Sequence, residues 1–178
     1  MKKSLIPVFA ALLFAAGFPV NNAIAQVKGY ETFTEQDGTL ILKGMLQRSD
    51  IEQNPKFAWF GANMKVGKAN AAAVTAFQKN KDKFQLIVFV GTWCEDTHNL
   101  LPSFYRLVDQ GGIADKNITL VGVDREKTAL YNLHTLFNVT MTPTFIVMKD
   151  GKEIGRVSEY GKYGLIDKEL GEIVNTIQ

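Results

Sequence analysis

The sequence predicts an α/β domain, a mixed β-sheet with helices on both faces. Three observations carry this. Gln85–Gly91 is an apolar run rich in β-branched and aromatic residues, too short for a helix, as in a strand buried on both faces. From Ala69 onward helical and strand patterns alternate, then close with a hairpin and a last helix, the order of a sheet layered between helices. An apolar share of 46% is enough for a real core.

Taken in order, the chain starts with Lys2 and Lys3, an apolar stretch from Leu5 to Phe18, and an A-x-A signal at Ala23-Ile24-Ala25. This is the pattern of a secretory signal peptide cut before Gln26. An uncleaved membrane anchor fits less well, because the apolar stretch is short and holds Pro7 and Gly17. Removing Lys2 and Lys3 leaves bases and acids equal at 18 each, so the mature chain has no electrostatic case for nucleic acid or an acidic membrane. Localisation across the inner membrane, in a bacterial periplasm, is the expectation.

Gln26–Thr34 is polar and reads as a loose lead-in. Thr39–Leu46 has strand composition, introduced by the turn signal Asp37-Gly38, and reads as an added edge strand or arm. Asp50-Ile51-Glu52 opens a helical turn that Asn54-Pro55 stops or redirects. Phe57-Ala58-Trp59-Phe60 is unusually aromatic for a connection, and two readings stand: a plug packed on the neighbouring layer, or one wall of a client groove.

Asn70–Lys81 is an amphipathic helix with Ala71, Val74, Ala76 and Phe77 on its apolar side. The strand Gln85–Gly91 follows, then a helix from Glu95 to about Asp109, broken at Gly111-Gly112. Ile118–Val123 is a second buried strand, and Lys127–Phe137 is helical by the spacing of Leu130, Leu133, Leu136 and Phe137. Strands Phe145–Met148 and Glu153–Ser158 flank a turn at Asp150-Gly151, and Ile166–Ile177 closes the chain as a helix.

The only cysteine, Cys94, stands where the central strand hands over to a helix start. Backbone N–H groups and the positive end of the helix dipole favour a thiolate there. Glu95 and Asp96 oppose that ionisation, and equally serve to balance the helix dipole. His98, four residues on, falls on the same helical face, where an imidazolium would favour the thiolate; a bland exposed or capping role is the alternative. Thr97, one turn from Cys94, is either a hydroxyl donor to the sulfur or ordinary helix-start polarity. One cysteine and two widely separated histidines give no metal-ligand spacing, and no cofactor is expected.

Trp93-Cys94-Glu95-Asp96-Thr97 resembles the W-C-x-x-C site of the thioredoxin superfamily, with Thr97 where the second cysteine belongs. Pro102, eight residues after Cys94, matches the proline that kinks the active-site helix in that family. Met141-Thr142-Pro143-Thr144 resembles its cis-proline loop, and Lys149-Asp150-Gly151-Lys152 its last hairpin turn. The resemblance spans roughly 69–178. It implies a thioredoxin fold over 69–178; the signal peptide read at 1–25 and an N-terminal extension at 26–68, packed on the domain, precede it. It also implies that Trp93 shields the sulfur and meets clients, and that Thr142 and Pro143, joined by a cis peptide, pair with a client backbone. Glu159 falls where many members of the family keep a small residue beside the site, and is expected to add negative charge there. Val88 replaces the family's buried carboxylate.

A dithiol cycle needs a second sulfur to resolve the mixed disulfide, and this chain has none. Three readings remain. One is an exported protein exchanging thiols and disulfides through Cys94 alone, by mixed-disulfide formation, isomerisation or client capture. Its partners are client proteins with disulfides or thiols and a low-molecular-weight thiol, with no membrane contact after signal cleavage. The second is a redox-inactive binding module of the same fold. The third, a one-cysteine peroxidase, ranks below both, since Gly91 occupies the position three residues before the cysteine where peroxiredoxin sites carry Thr or Ser.

Overall fold

The computed structural model describes residues 29–178, and the proposed signal peptide lies outside them. Among the described residues the chain builds one six-stranded sheet: β1 (Tyr30–Thr34), β2 (Leu40–Leu46), β3 (Gln85–Val90), β4 (Ile118–Gly122), β5 (Thr144–Lys149) and β6 (Lys152–Ser158). The spatial order is β1-β2-β4-β3-β5-β6, with β3 and β4 parallel and every other pair antiparallel. The helices are α1 (Arg48–Glu52), α2 (Ala58–Met64), α3 (Ala71–Asn80), α4 (Glu95–Gly111), α5 (Leu133–Leu136) and α6 (Ile166–Asn175).

The period-two alternation of β3 divides the core. Leu86, Val88 and Val90 face the helical layer, where they join Leu42, Leu120, Phe145 and Val147 beneath Phe60, Phe77, Leu101 and Leu170. Ile87 and Phe89 point the other way, to Val121, Val123, Val139 and Ile146. Within the helical layer α3 packs against both α4 and α6, and α2 against α4. The turn between β5 and β6 places Asp150 and Gly151 at positive φ, the geometry of a two-residue hairpin.

Three sequence readings change. The lead-in to Thr34 is not loose where it is described: Tyr30–Thr34 pairs with β2 along its whole length. It therefore takes the edge, and β2, read as an edge strand, lies inside the sheet between β1 and β4. The helix expected over Lys127–Phe137 shrinks to a 3-10 turn at Leu130–Asn132 and the single turn of α5. Lys127, Tyr131 and Asn132 adopt positive φ, and Leu136 is 71% exposed. Local bonds displace the helix: the Asp124 carboxylate accepts the Thr128 N–H at 2.7 Å, and His134 Nδ1 accepts that of Ala129 at 3.0 Å. The second face of the sheet is thus covered by a short irregular segment that brings Ala129, Leu133 and Phe137 onto it.

Candidate active site

The site lies at the C-terminal ends of the parallel pair β3 and β4. Beyond β3 the chain makes a turn, Gly91-Thr92-Trp93-Cys94, closed by the Cys94 N–H donating to the Gly91 carbonyl at 2.9 Å. Cys94 is the N-cap of α4, in extended geometry, and its side chain makes no capping bond to the helix. The sulfur is partly exposed, and its thiol sits 3.4 Å from the Thr142 carbonyl oxygen, which accepts from it.

That carbonyl belongs to a loop pinned against the sulfur. The Thr142–Pro143 peptide is cis. Thr142 and Pro143 are buried, whereas Met141 beside them is 45% exposed. The Thr144 hydroxyl donates to the Met141 carbonyl at 2.8 Å and lies 3.0 Å from Ser158 Oγ. Glu159, at positive φ, donates its backbone N–H to the Pro143 carbonyl at 2.7 Å. Its part in holding the loop is therefore played by its main chain.

Trp93 folds back over Gly91, where a Cβ would stand 2.8 Å from the indole nitrogen, so only glycine admits the ring. The indole N–H donates to the Val123 carbonyl at 3.1 Å. The Arg125 guanidinium lies 5.2 Å from the ring centroid and pairs in bidentate fashion with Glu35, in the turn between β1 and β2. Glu95 is exposed and Asp96 half-buried in the first turn of α4. Thr97 is 0% exposed, and its hydroxyl is a buried polar atom with no hydrogen-bond partner.

His98 is placed differently from its sequence reading. Its Nε2 lies 2.8 Å from the Thr92 carbonyl oxygen, and its ring stacks on Trp59 at 4.3 Å. A carbonyl only accepts, so Nε2 carries a hydrogen. The imidazole thus engages a backbone oxygen and an indole face rather than the sulfur. The aromatic segment 57–60 divides its work: Phe57 and Phe60 are core, while half-buried Trp59 covers His98.

Sequence reasoning missed Thr92, Asn63 and Arg125. Thr92 is buried, and its hydroxyl binds the backbone of β2. Asn63, in α2, donates its side-chain amide to the His98 carbonyl at 2.9 Å. The one signal that pointed there was Pro102, which has no N–H for the carbonyl four residues back. No group of three or more His, Cys, Asp or Glu side chains able to hold a metal ion occurs among the described residues.

Residues 65–170 match the family model described as Thioredoxin. Thioredoxin H2 of Arabidopsis thaliana is 30% identical over 79 residues, 44% of this chain and 55% of that protein, so the match spans about half the relative's length. Among solved structures, thioredoxin O2 from Arabidopsis thaliana in its oxidized state is 20% identical, with a TM-score of 0.38 over 62% of this chain and 90% of that one. Mitochondrial thioredoxin 3 from Saccharomyces cerevisiae, oxidized form, is 21% identical, with a TM-score of 0.38 over 67% and 99%. A Pseudomonas aeruginosa protein of unknown function is 16% identical, with a TM-score of 0.49 over 68% and 82%.

Proposed function

Because the chain belongs to the thioredoxin family, we propose that it is an exported thiol–disulfide exchange protein working through the single sulfur of Cys94. The observation that carries this reading is the half-exposed Cys94 at the N-terminus of α4, set 3.4 Å from the carbonyl of the cis-proline loop. The Cys94 thiolate attacks one sulfur of a client disulfide. A Cys94–client bond forms, the client's own S–S bond breaks, and the second client sulfur leaves as a thiolate. Release requires a further thiolate to attack the client sulfur of the mixed disulfide and expel the Cys94 thiolate: a different client cysteine, which leaves a new client disulfide and is isomerisation, or a low-molecular-weight thiol, which leaves its own mixed disulfide with the client.

The first-turn N–H groups of α4 are open to an ionised sulfur, since the Cys94 side chain makes no capping bond with them. Thr97 adds a second donor in this reading. A buried hydroxyl without a partner is costly, and an ionised sulfur one turn back would satisfy it. The flat face of Trp93 and the exposed Met141 beside Thr142 and Pro143 supply the surface against which a client chain lies. Val88, fully buried in the hydrophobic core, suits a site with no second sulfur to deprotonate. Export to the periplasm rests on residues 1–25, as read from the sequence.

The test is to incubate the mature chain with glutathione disulfide and follow intact mass. The expected result is one adduct, lost in Cys94→Ser and reversed by reduced glutathione. A wild-type chain that forms no adduct under conditions that modify free cysteine would favour the redox-inactive binding module instead.

A further inference from the structure

We propose that Thr92 is the positioning residue of the Cys94 turn, and that through it β2 and α2, both earlier in the chain, hold the sulfur in its reactive place. The inference rests on the monothiol reading above and deepens it.

It starts from the ladder between β2 and β4. Their register runs from Leu46 opposite Leu120 to Gly44 opposite Gly122 and stops there. After Gly122 the chain leaves for β3, and the Val123 N–H donates to the Val90 carbonyl. The next backbone groups on that side of β2 are the Leu42 N–H and the Leu40 carbonyl, with no strand residue opposite them. Thr92 supplies the missing rung with one atom: its Oγ1 accepts from the Leu42 N–H at 3.1 Å and donates to the Leu40 carbonyl at 2.9 Å. Among side chains of this size only a hydroxyl both accepts and donates at one atom. Thr92 is 2% exposed, so water does not replace it without opening the turn.

The main chain of the same residue is held from the other side. Its carbonyl accepts from His98 Nε2 at 2.8 Å, and the His98 ring is backed by Trp59 of α2. Thr92 is thus gripped by β2 through its side chain and by α4 and α2 through its carbonyl. Cys94 is two residues away, at the closing bond of the same turn. In-line attack on a disulfide is sensitive to sulfur placement. Losing the Thr92 grip therefore slows exchange without touching the sulfur.

The experiment compares wild type with Thr92→Val and Thr92→Ser, each assayed well below its melting transition. Two rates are read: adduct formation with glutathione disulfide and alkylation of Cys94 by iodoacetamide. Thr92→Val should lose about tenfold in both rates, and Thr92→Ser should return to within about threefold of wild type. A Thr92→Val protein at the wild-type rate, or a Thr92→Ser protein as slow as Thr92→Val, overturns the proposal. If Thr92→Val does not fold, His98→Leu takes its place, with His98→Gln as the conservative partner that keeps an N–H donor for the Thr92 carbonyl. His98→Leu should be several-fold slower and His98→Gln near wild type; equal rates for His98→Leu and wild type overturn the coupling. Should wild type form no glutathione adduct at all, the monothiol reading falls, and the alkylation rates still decide the role of Thr92.

Discussion

Pro102 sits inside α4 and has no N–H, so the carbonyl four residues back, that of His98, lacks its helical partner. Asn63 supplies one from α2 at 2.9 Å. Asn63→Ala removes that donor and leaves a half-buried carbonyl unpaired, a cost of about 1–2 kcal/mol. Alanine is the better helix former in α2 by roughly 0.5 kcal/mol, which masks part of the loss. A double-mutant cycle with Pro102→Ala removes this ambiguity, because an alanine at that position restores an N–H to the His98 carbonyl within α4. The Asn63 backbone carbonyl, which accepts from Arg106 at 2.6 Å, is untouched in every arm and cancels. Urea denaturation of the four proteins should show Asn63→Ala costing about 1 kcal/mol more in the wild-type background than in the Pro102→Ala background. In thermal unfolding that coupling is worth roughly 2–4 °C for a chain of this size. An equal cost of Asn63→Ala in both backgrounds would refute the assignment of Asn63 as the partner of the freed carbonyl.

Two further outcomes follow from the same structure. Burial pushes the Asp124 carboxyl up, but hydrogen bonds from Lys43 and Thr128 outweigh it and hold the group below its ordinary value of 3.8. Stability from this site is therefore complete above the unfolded carboxylate value and lost as pH falls through the folded one; Asp124→Asn should flatten the fall of the urea midpoint below the ordinary carboxylate value of 3.8, and an unchanged acid slope would count against it. Gly171 of α6 lies against α3, where a Cβ would stand 2.4 Å from that of Ala73 and 2.5 Å from its Cα. Gly171→Ala should cost about 1–3 kcal/mol by forcing the helices apart, and a wild-type urea midpoint would show that the contact yields freely.

What the sequence made legible was what burial writes into it. The runs of β3, β4 and β5 and the apolar stripes of α3, α4 and α6 are core, and core imposes period and composition. β1 escaped because four of its five residues are exposed, so Tyr30–Thr34 carries no apolar pattern, and missing it turned β2 into an edge. The stretch 127–137 misled for the opposite reason. Its leucines repeat as in a helix, but Asp124 and His134 capture the Thr128 and Ala129 N–H groups, leaving Leu136 in solvent. At the site, local spacing placed Trp93, Cys94 and Thr97 at a strand-to-helix junction. Contacts that brace the turn and the first turns of α4 come from residues 40, 42, 59 and 63, at separations no local pattern encodes.

Those separations bear on where the functional unit begins. The family match starts at residue 65, yet several contacts that hold the site reach behind it. The Thr92 hydroxyl needs β2, the carbonyl freed by Pro102 needs Asn63, and the Arg125 guanidinium over Trp93 is held by Glu35. Phe57 and Phe60 sit in the same core as Phe77, Leu101 and Phe104, so no solvent layer separates the early segments from the rest. A stretch containing only the matched residues would keep the sulfur, the tryptophan and the proline loop. It would leave the Thr92 hydroxyl, the His98 carbonyl and Arg125 without the partners that now satisfy them. Under the proposed function the reacting sulfur lies in the matched region, and the contacts that brace its turn come from both parts of the chain.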